Sequence, residues 1–191
     1  MKNKILFVNA CARQSSRTKE LAGHLLDRLE GDITELDLYK ANLLPLDDKA
    51  LAKRDEYVNG GNLSCPELER AVEFSQADTI VVAAPFWDLS FPSILKVYFE
   101  NITVSGITFE YSEEGRPVGK CRAKKLYYVT TSGGYIGENN FGFEYVKAVS
   151  KSFFEIDKVC FFSAEGLDIF GADVESIMTK AKEAITASDE I

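Results

Sequence analysis

Short apolar runs without polar alternation recur along the chain, separated by stretches in which apolar residues return every three or four positions. The runs lie at 4–8 (KILFV), 79–84 (TIVVAA), 126–131 (LYYVTT) and 159–164 (VCFFSA). Such runs predict the strands of a parallel sheet, TIVVAA above all one covered on both faces. The segment 33–38 differs, because Ile33, Glu35 and Asp37 alternate with Thr34, Leu36 and Leu38. That pattern predicts a half-polar strand toward a sheet edge. Helical spacing covers 17–29, with Leu21, Leu25, Leu26 and Leu29 on one side, and then 66–76, 92–99, 141–154 and 174–187. Pro66 and Pro92 stand where a first helical turn tolerates proline. Gly31 stands where a helix end calls for a residue that accepts positive φ.

Two segments break the rhythm. Residues 39–63 contain Pro45, a charged stretch over 47–55 and Gly60-Gly61, and exceed the length of most connections. Loops that long are functional or mobile. Residues 106–120 carry ITFEY, EEG and RPVGK, which read as a small hairpin or flap. Repeated strand–helix units with neither internal repeat nor linker predict one domain over 1–191. Its class is α/β, a doubly wound five-stranded parallel sheet with a small hairpin insertion.

Composition narrows the classes of partner. The 191 residues are 46% hydrophobic and 27% charged, with a formal net charge of −8. That charge disfavours nucleic acid and anionic membranes as partners. No apolar stretch approaches the roughly 20 residues of a membrane span. The first residues lack the pattern of a secretory signal, so the expectation is a cytoplasmic protein. Cys11, Cys65, Cys121 and Cys160 form no CxxC pair and His24 is alone, so free thiols and no metal site are expected. His24 shares its helix side with Arg17, Glu20 and Arg28, away from the leucines, and reads as solvated.

In open α/β sheets a ligand sits beyond the carboxyl ends of the strands, where strand order reverses. Three loops leave such ends. The first, 9–18, holds Ser15, Ser16 and Thr18 with Arg13 and Arg17 at a helix start, where unpaired N–H groups and positive dipole favour a phosphate. The same hydroxyls also make ordinary helix caps. Neither GxxxxGK[ST] nor GxGxxG is present, which counts against an ATPase and a dinucleotide-binding enzyme. The second loop, APFWDLSFP at 84–92, sets aromatics at the end of the central strand, as a wall for a flat ring or as a core cap. The third, Thr131-Ser132-Gly133-Gly134-Tyr135, pairs glycines where backbone N–H groups can approach a ligand or simply turn the chain. Together the three suit a ligand with a phosphate at one end and a planar heterocycle at the other, which is FMN.

These segments resemble the FMN-dependent azoreductase and quinone reductase family of flavodoxin-like NAD(P)H oxidoreductases. The likeness is carried by AAPFWDLSFPSILKVYFENI (83–102), GITFEY (106–111), GRPVGK (115–120), VTTSGGY (129–135) and FFSAEGLDIFG (161–171). It implies a flavodoxin-like fold and FMN as cofactor. Cys11, Ser16, Arg17 and Thr18 would lie at the phosphate. Pro85, Phe86, Trp87, Asp88 and Leu89 would border the isoalloxazine, with Thr131, Ser132, Gly133 and Gly134 on its pyrimidine side. The implied activity is ping-pong transfer from NADH or NADPH to quinones, or to azo and nitroaromatic compounds, in a homodimer. Tyr135 is the candidate for orienting a substrate, and no protein acid or base is required. The family often has Ser at the position of Cys11, Asn at that of Asp88 and Arg near Ser132. An ionised Asp88 beside the ring would disfavour an anionic reduced flavin. A flavodoxin-type electron carrier is the competing expectation.

Overall fold

The computed structural model describes residues 2–191. Its elements run β1 (Lys4–Asn9), α1 (Arg17–Leu26), β2 (Asp32–Asp37), α2 (Asp48–Asn59), a 3-10 turn (Pro66–Leu68), α3 (Glu69–Gln76), β3 (Thr79–Ala83) and α4 (Ser93–Ile102). They continue as β4 (Phe109–Tyr111), β5 (Pro117–Gly119), β6 (Lys125–Thr131), α5 (Phe141–Phe153), β7 (Lys158–Ala164) and α6 (Val174–Thr186). The main sheet is parallel in the order β2-β1-β3-β6-β7. Strand β1 therefore lies between β2 and β3, and the chain changes direction across the sheet beside it.

Strand pleat divides the core into two layers. Leu6, Val8, Ile80, Val82, Leu126 and Tyr128 face α3, α4 and α5. Ile5, Phe7, Val81, Ala83, Tyr127 and Val129 face α1 and α6. The unalternating sequence of these strands follows directly from burial on both sides. The half-polar β2 is an edge strand, as its pattern implies.

Three expectations need correction, and one, the hairpin, holds. Residues 48–59 form a helix and not a loop, but one with no fully buried residue, so no apolar stripe announces it. Tyr57 and Val58 alone of its residues pack against the core. Gly31 does not have positive φ. A Cβ there would lie 2.3 Å from the Asn3 carbonyl oxygen, so close approach to the start of β1 calls for glycine. The 106–120 hairpin forms as expected, with Gly119 against the backbone of Phe154 and the Phe109 ring 5.1 Å from that of Phe153. It thus sits at the carboxyl end of α5, at the sheet end opposite the strand-end loops. His24 is half-buried, and its Nε2 lies 3.0 Å from the Thr186 hydroxyl on α6.

Candidate active site

The loops leaving β1, β3, β6 and β7 enclose a cleft of about 400 Å³ at the carboxyl ends of the strands. Ala12, Arg13, Ser15, Ser16, Arg17 and Thr18 form one side. Pro85, Phe86 and Trp87 form another, and Thr131, Ser132, Gly133, Leu167 and Asp168 complete it. Its size is that of an ordinary small-molecule site.

Ser16 caps α1: it is extended, and its hydroxyl accepts from the Lys19 N–H at 3.3 Å. Helix geometry leaves the first-turn N–H groups of Arg17 and Thr18 without intrahelical acceptors, facing the loop they close. Thr18 is only 1% exposed, and its hydroxyl lies 2.6 Å from that of Thr131. This buried bond ties α1 to the end of β6, so the Thr18 side chain shapes the floor while its amide remains open. Behind the loop, Asn9 donates to Glu35 at 2.8 Å and accepts from the Cys11 N–H, while Lys19 bonds the same Glu35 oxygen at 2.6 Å. Burial works against ionisation of Glu35, but the Lys19 and Asn9 bonds outweigh it and hold its carboxyl below the usual range. Those ties fix the loop without glycine.

The aromatic loop makes a two-residue hairpin. Trp87 and Ser90 exchange both backbone hydrogen bonds, at 3.0 and 2.8 Å, and Asp88 and Leu89 have φ of 49° and 65°. Positive φ at both central residues is the demand of a type I′ turn, for which Asn-Gly is the favoured pair. A leucine there is strained by about 1–2 kcal/mol. The turn is held by the Phe141 N–H at the start of α5, which donates to the Leu89 carbonyl at 3.1 Å. Relief of this strain gives a checkable result. Leu89→Gly should leave folding stability unchanged or raise it by up to about 1 kcal/mol in urea melts, since the gain offsets the added freedom of the unfolded chain. A loss above that size would show that the Leu89 side chain, half-exposed here, supports the loop.

The diglycine loop is templated by the loop after β7. Ser132 N–H donates to the Ala164 carbonyl at 3.0 Å, Gly166 N–H to Gly134 at 3.0 Å, Leu167 N–H to Ser132 at 3.1 Å and Asp168 N–H to Gly133 at 2.9 Å. Glu165 accepts from the Ile136 N–H at 3.0 Å and from the Ser163 hydroxyl at 2.9 Å. From that loop the Asp168 carboxylate reaches back to Arg17 at 2.9 Å.

Of the residues singled out in the sequence, Ser16, Arg17, Thr18, Pro85, Phe86, Trp87, Thr131, Ser132 and Gly133 line the cleft. Asp88 and Leu89 form the exposed turn beside it, and Gly134 and Tyr135 lie past its edge, Tyr135 being exposed. Cys11 is buried in the layer beneath α1, its Sγ 3.7 Å from the Ala83 carbonyl, and burial pushes its thiol up. Sequence reasoning considered three strand ends and gave no role to Leu167 or Asp168. The signal lay in the third and fourth unalternating runs, which pair as neighbouring strands and so place their following loops side by side.

Parallel order 2-1-3-6-7 and a cleft at the β1–β3 reversal match a flavodoxin-like architecture, and the family described by that fold matches residues 3–188. The chain belongs to the flavodoxin-like fold family. It is 37% identical over 194 residues to an FMN-dependent NADH:quinone oxidoreductase of Coprothermobacter proteolyticus, covering 95% of this chain and 96% of that one. It is 36% identical over 197 residues to FMN-dependent NADH:quinone oxidoreductase 2 of Clostridium acetobutylicum, covering 95% and 97%. Its fold superposes on the crystal structure of an azoreductase from Bacillus anthracis str. Sterne with a TM-score of 0.82, at 26% identity and 96% coverage of both chains. Among the described residues no helix is long and apolar enough to cross a membrane, and no group of three or more His, Cys, Asp or Glu could hold a metal ion.

Proposed function

We propose that this protein is an FMN-dependent oxidoreductase that passes two electrons from NADH to a quinone. The observation that carries the reading is the convergence of hydroxyl-and-arginine, aromatic and diglycine loops on one cleft at the strand-order reversal. Relatives bearing that activity in their names match nearly the whole chain and support it. NADPH as an alternative donor and azo or nitroaromatic compounds as further acceptors belong to the same proposal.

The residues present fit the cofactor. An anion would be received by Arg13, Arg17, the Ser15 and Ser16 hydroxyls and the open first-turn amides of α1. A planar ring would lie against Pro85, Phe86 and Trp87, with Thr131, Ser132 and Gly133 along its polar edge. FMN, when bound, accepts hydride from the nicotinamide and yields the two electrons to the acceptor. The chain itself supplies orientation and exclusion of water: the strained 88–89 turn fixes one wall, and the β7 loop fixes the opposite one. Asp88, Leu89, Gly134 and Tyr135 are assigned to the rim, where Tyr135 would orient the acceptor, and Cys11 to the buried support of the phosphate loop. Leu89, Tyr135, Phe141 and Phe170 are exposed large side chains at this end, which supports a second copy of the chain as the partner covering them.

Absorbance of the purified protein with added FMN tests this. NADH should bleach the flavin band, a quinone should restore it, and the two together should give sustained NADH oxidation. A bound flavin that NADH leaves oxidised would point to an electron carrier and sink the enzyme reading.

A further inference from the structure

Asp168 occupies an unexpected place for a carboxylate. It stands in the wall of a cleft whose opposite side carries Arg13, Arg17 and a helix N-terminus, all suited to an anion. Its Oδ1 lies 2.9 Å from the Arg17 guanidinium. The same side chain lies flat on Gly133, where a Cβ would come within 2.5 Å of Asp168 Oδ2. One carboxylate thus engages a cationic group and covers a backbone surface, both of which the proposed ligand requires.

We infer that Asp168 is an internal counter-ion, exchanged at Arg17 for the phosphate of an incoming flavin mononucleotide, and that it thereby sets the discrimination between phosphorylated and unphosphorylated flavins. Exchange is energetically easy. The Arg17 side chain is 42% exposed and that of Asp168 72%. Ion pairs so placed hold weakly, and a dianion with several acceptor oxygens replaces a single carboxylate contact. Backbone bonds keep the β7 loop in place through Gly166, Leu167 and Asp168 themselves, so the side chain can swing out without unravelling the wall. The pairing also divides the two arginines: Arg17 has a partner in the chain, whereas Arg13 has no ion-pair partner among the described residues.

The inference rests on the FMN reading, and its test separates the two. Affinities of apo-protein for FMN and for riboflavin are measured by quenching of flavin fluorescence, in the wild type and in Asp168→Asn. Removing the competing charge should widen the FMN-to-riboflavin affinity ratio by about two- to five-fold, the range set by an exposed ion pair. Any effect of uncovering Gly133 acts on both flavins and cancels in the ratio. On an Arg17→Gln background, Asp168→Asn should leave the ratio unchanged. A ratio that stays constant or narrows in Asp168→Asn overturns the inference, and a narrowed one makes Asp168 a support for Arg17. A widening that persists without Arg17 overturns it as well. Failure of the wild type to bind either flavin would instead remove the FMN reading, and this inference with it.

Discussion

Arg13→Gln combined with Arg17→Gln should weaken FMN binding by about two orders of magnitude and change riboflavin binding far less. Hydrogen bonds to an ionised group contribute about 1.5–3 kcal/mol each, roughly ten-fold or more in affinity. Both side chains line the cleft beside the first turn of α1, where hydroxyls and amides alone would remain in the double variant. The two single variants should not be equal. Arg17 already spends part of its charge on Asp168 at 2.9 Å, so its loss also releases a carboxylate. Arg13 has no such internal partner among the described residues, so in the proposed complex its full charge would be available to the ligand. Arg13→Gln is therefore expected to be the more damaging. Fluorescence titration with both flavins at two salt concentrations checks this, since the wild-type preference for FMN should fall with salt and that of the double variant hardly at all. Equal losses for FMN and riboflavin would mean that the arginines shape the loop and do not receive the phosphate.

The sheet was legible because two-sided burial leaves a direct trace in sequence: β1, β3 and β6 lack polar alternation, and each has helices on both faces. The cleft was legible for the same reason, since strand ends locate loops and loop chemistry locates a ligand. What escaped had no local signature. Helix α2 buries no residue completely, so propensity and charge carry it without an apolar stripe. The hairpin pattern was readable, but its docking on the end of α5 depends on a tertiary contact between Gly119 and Phe154. Gly31 illustrates how a glycine after a helix invites a φ argument when crowding by a carbonyl from another element is the cause. Thr18 and Asp168 show the same limit within the site. Nothing local to the first loop shows that the Thr18 hydroxyl lies 2.6 Å from that of Thr131, 113 positions away. An acidic residue after the last strand reads as surface until the fold brings it 2.9 Å from Arg17, 151 positions away.

The Thr18–Thr131 bond separates cap from floor, and it carries the second large effect. Thr131→Val should destabilise the protein by about 1–3 kcal/mol, because it leaves the buried Thr18 hydroxyl without its partner. Thr18→Val should do the same to Thr131. Replacing both should cost much less than the sum, since two apolar groups of matching shape leave no polar atom stranded. Urea denaturation of the four species measures the coupling directly. Ser16→Ala supplies the contrast: it removes the cap that receives the Lys19 N–H, at about 1 kcal/mol, together with a hydroxyl that lines the cleft. FMN affinity should accordingly fall in Ser16→Ala and stay close to the wild type in the doubly substituted valine protein, whose Thr18 amide is intact. Additive losses in the valine cycle would show that the two hydroxyls do not depend on each other. Weak FMN binding by a stable double-valine protein would return the Thr18 hydroxyl to the list of phosphate contacts.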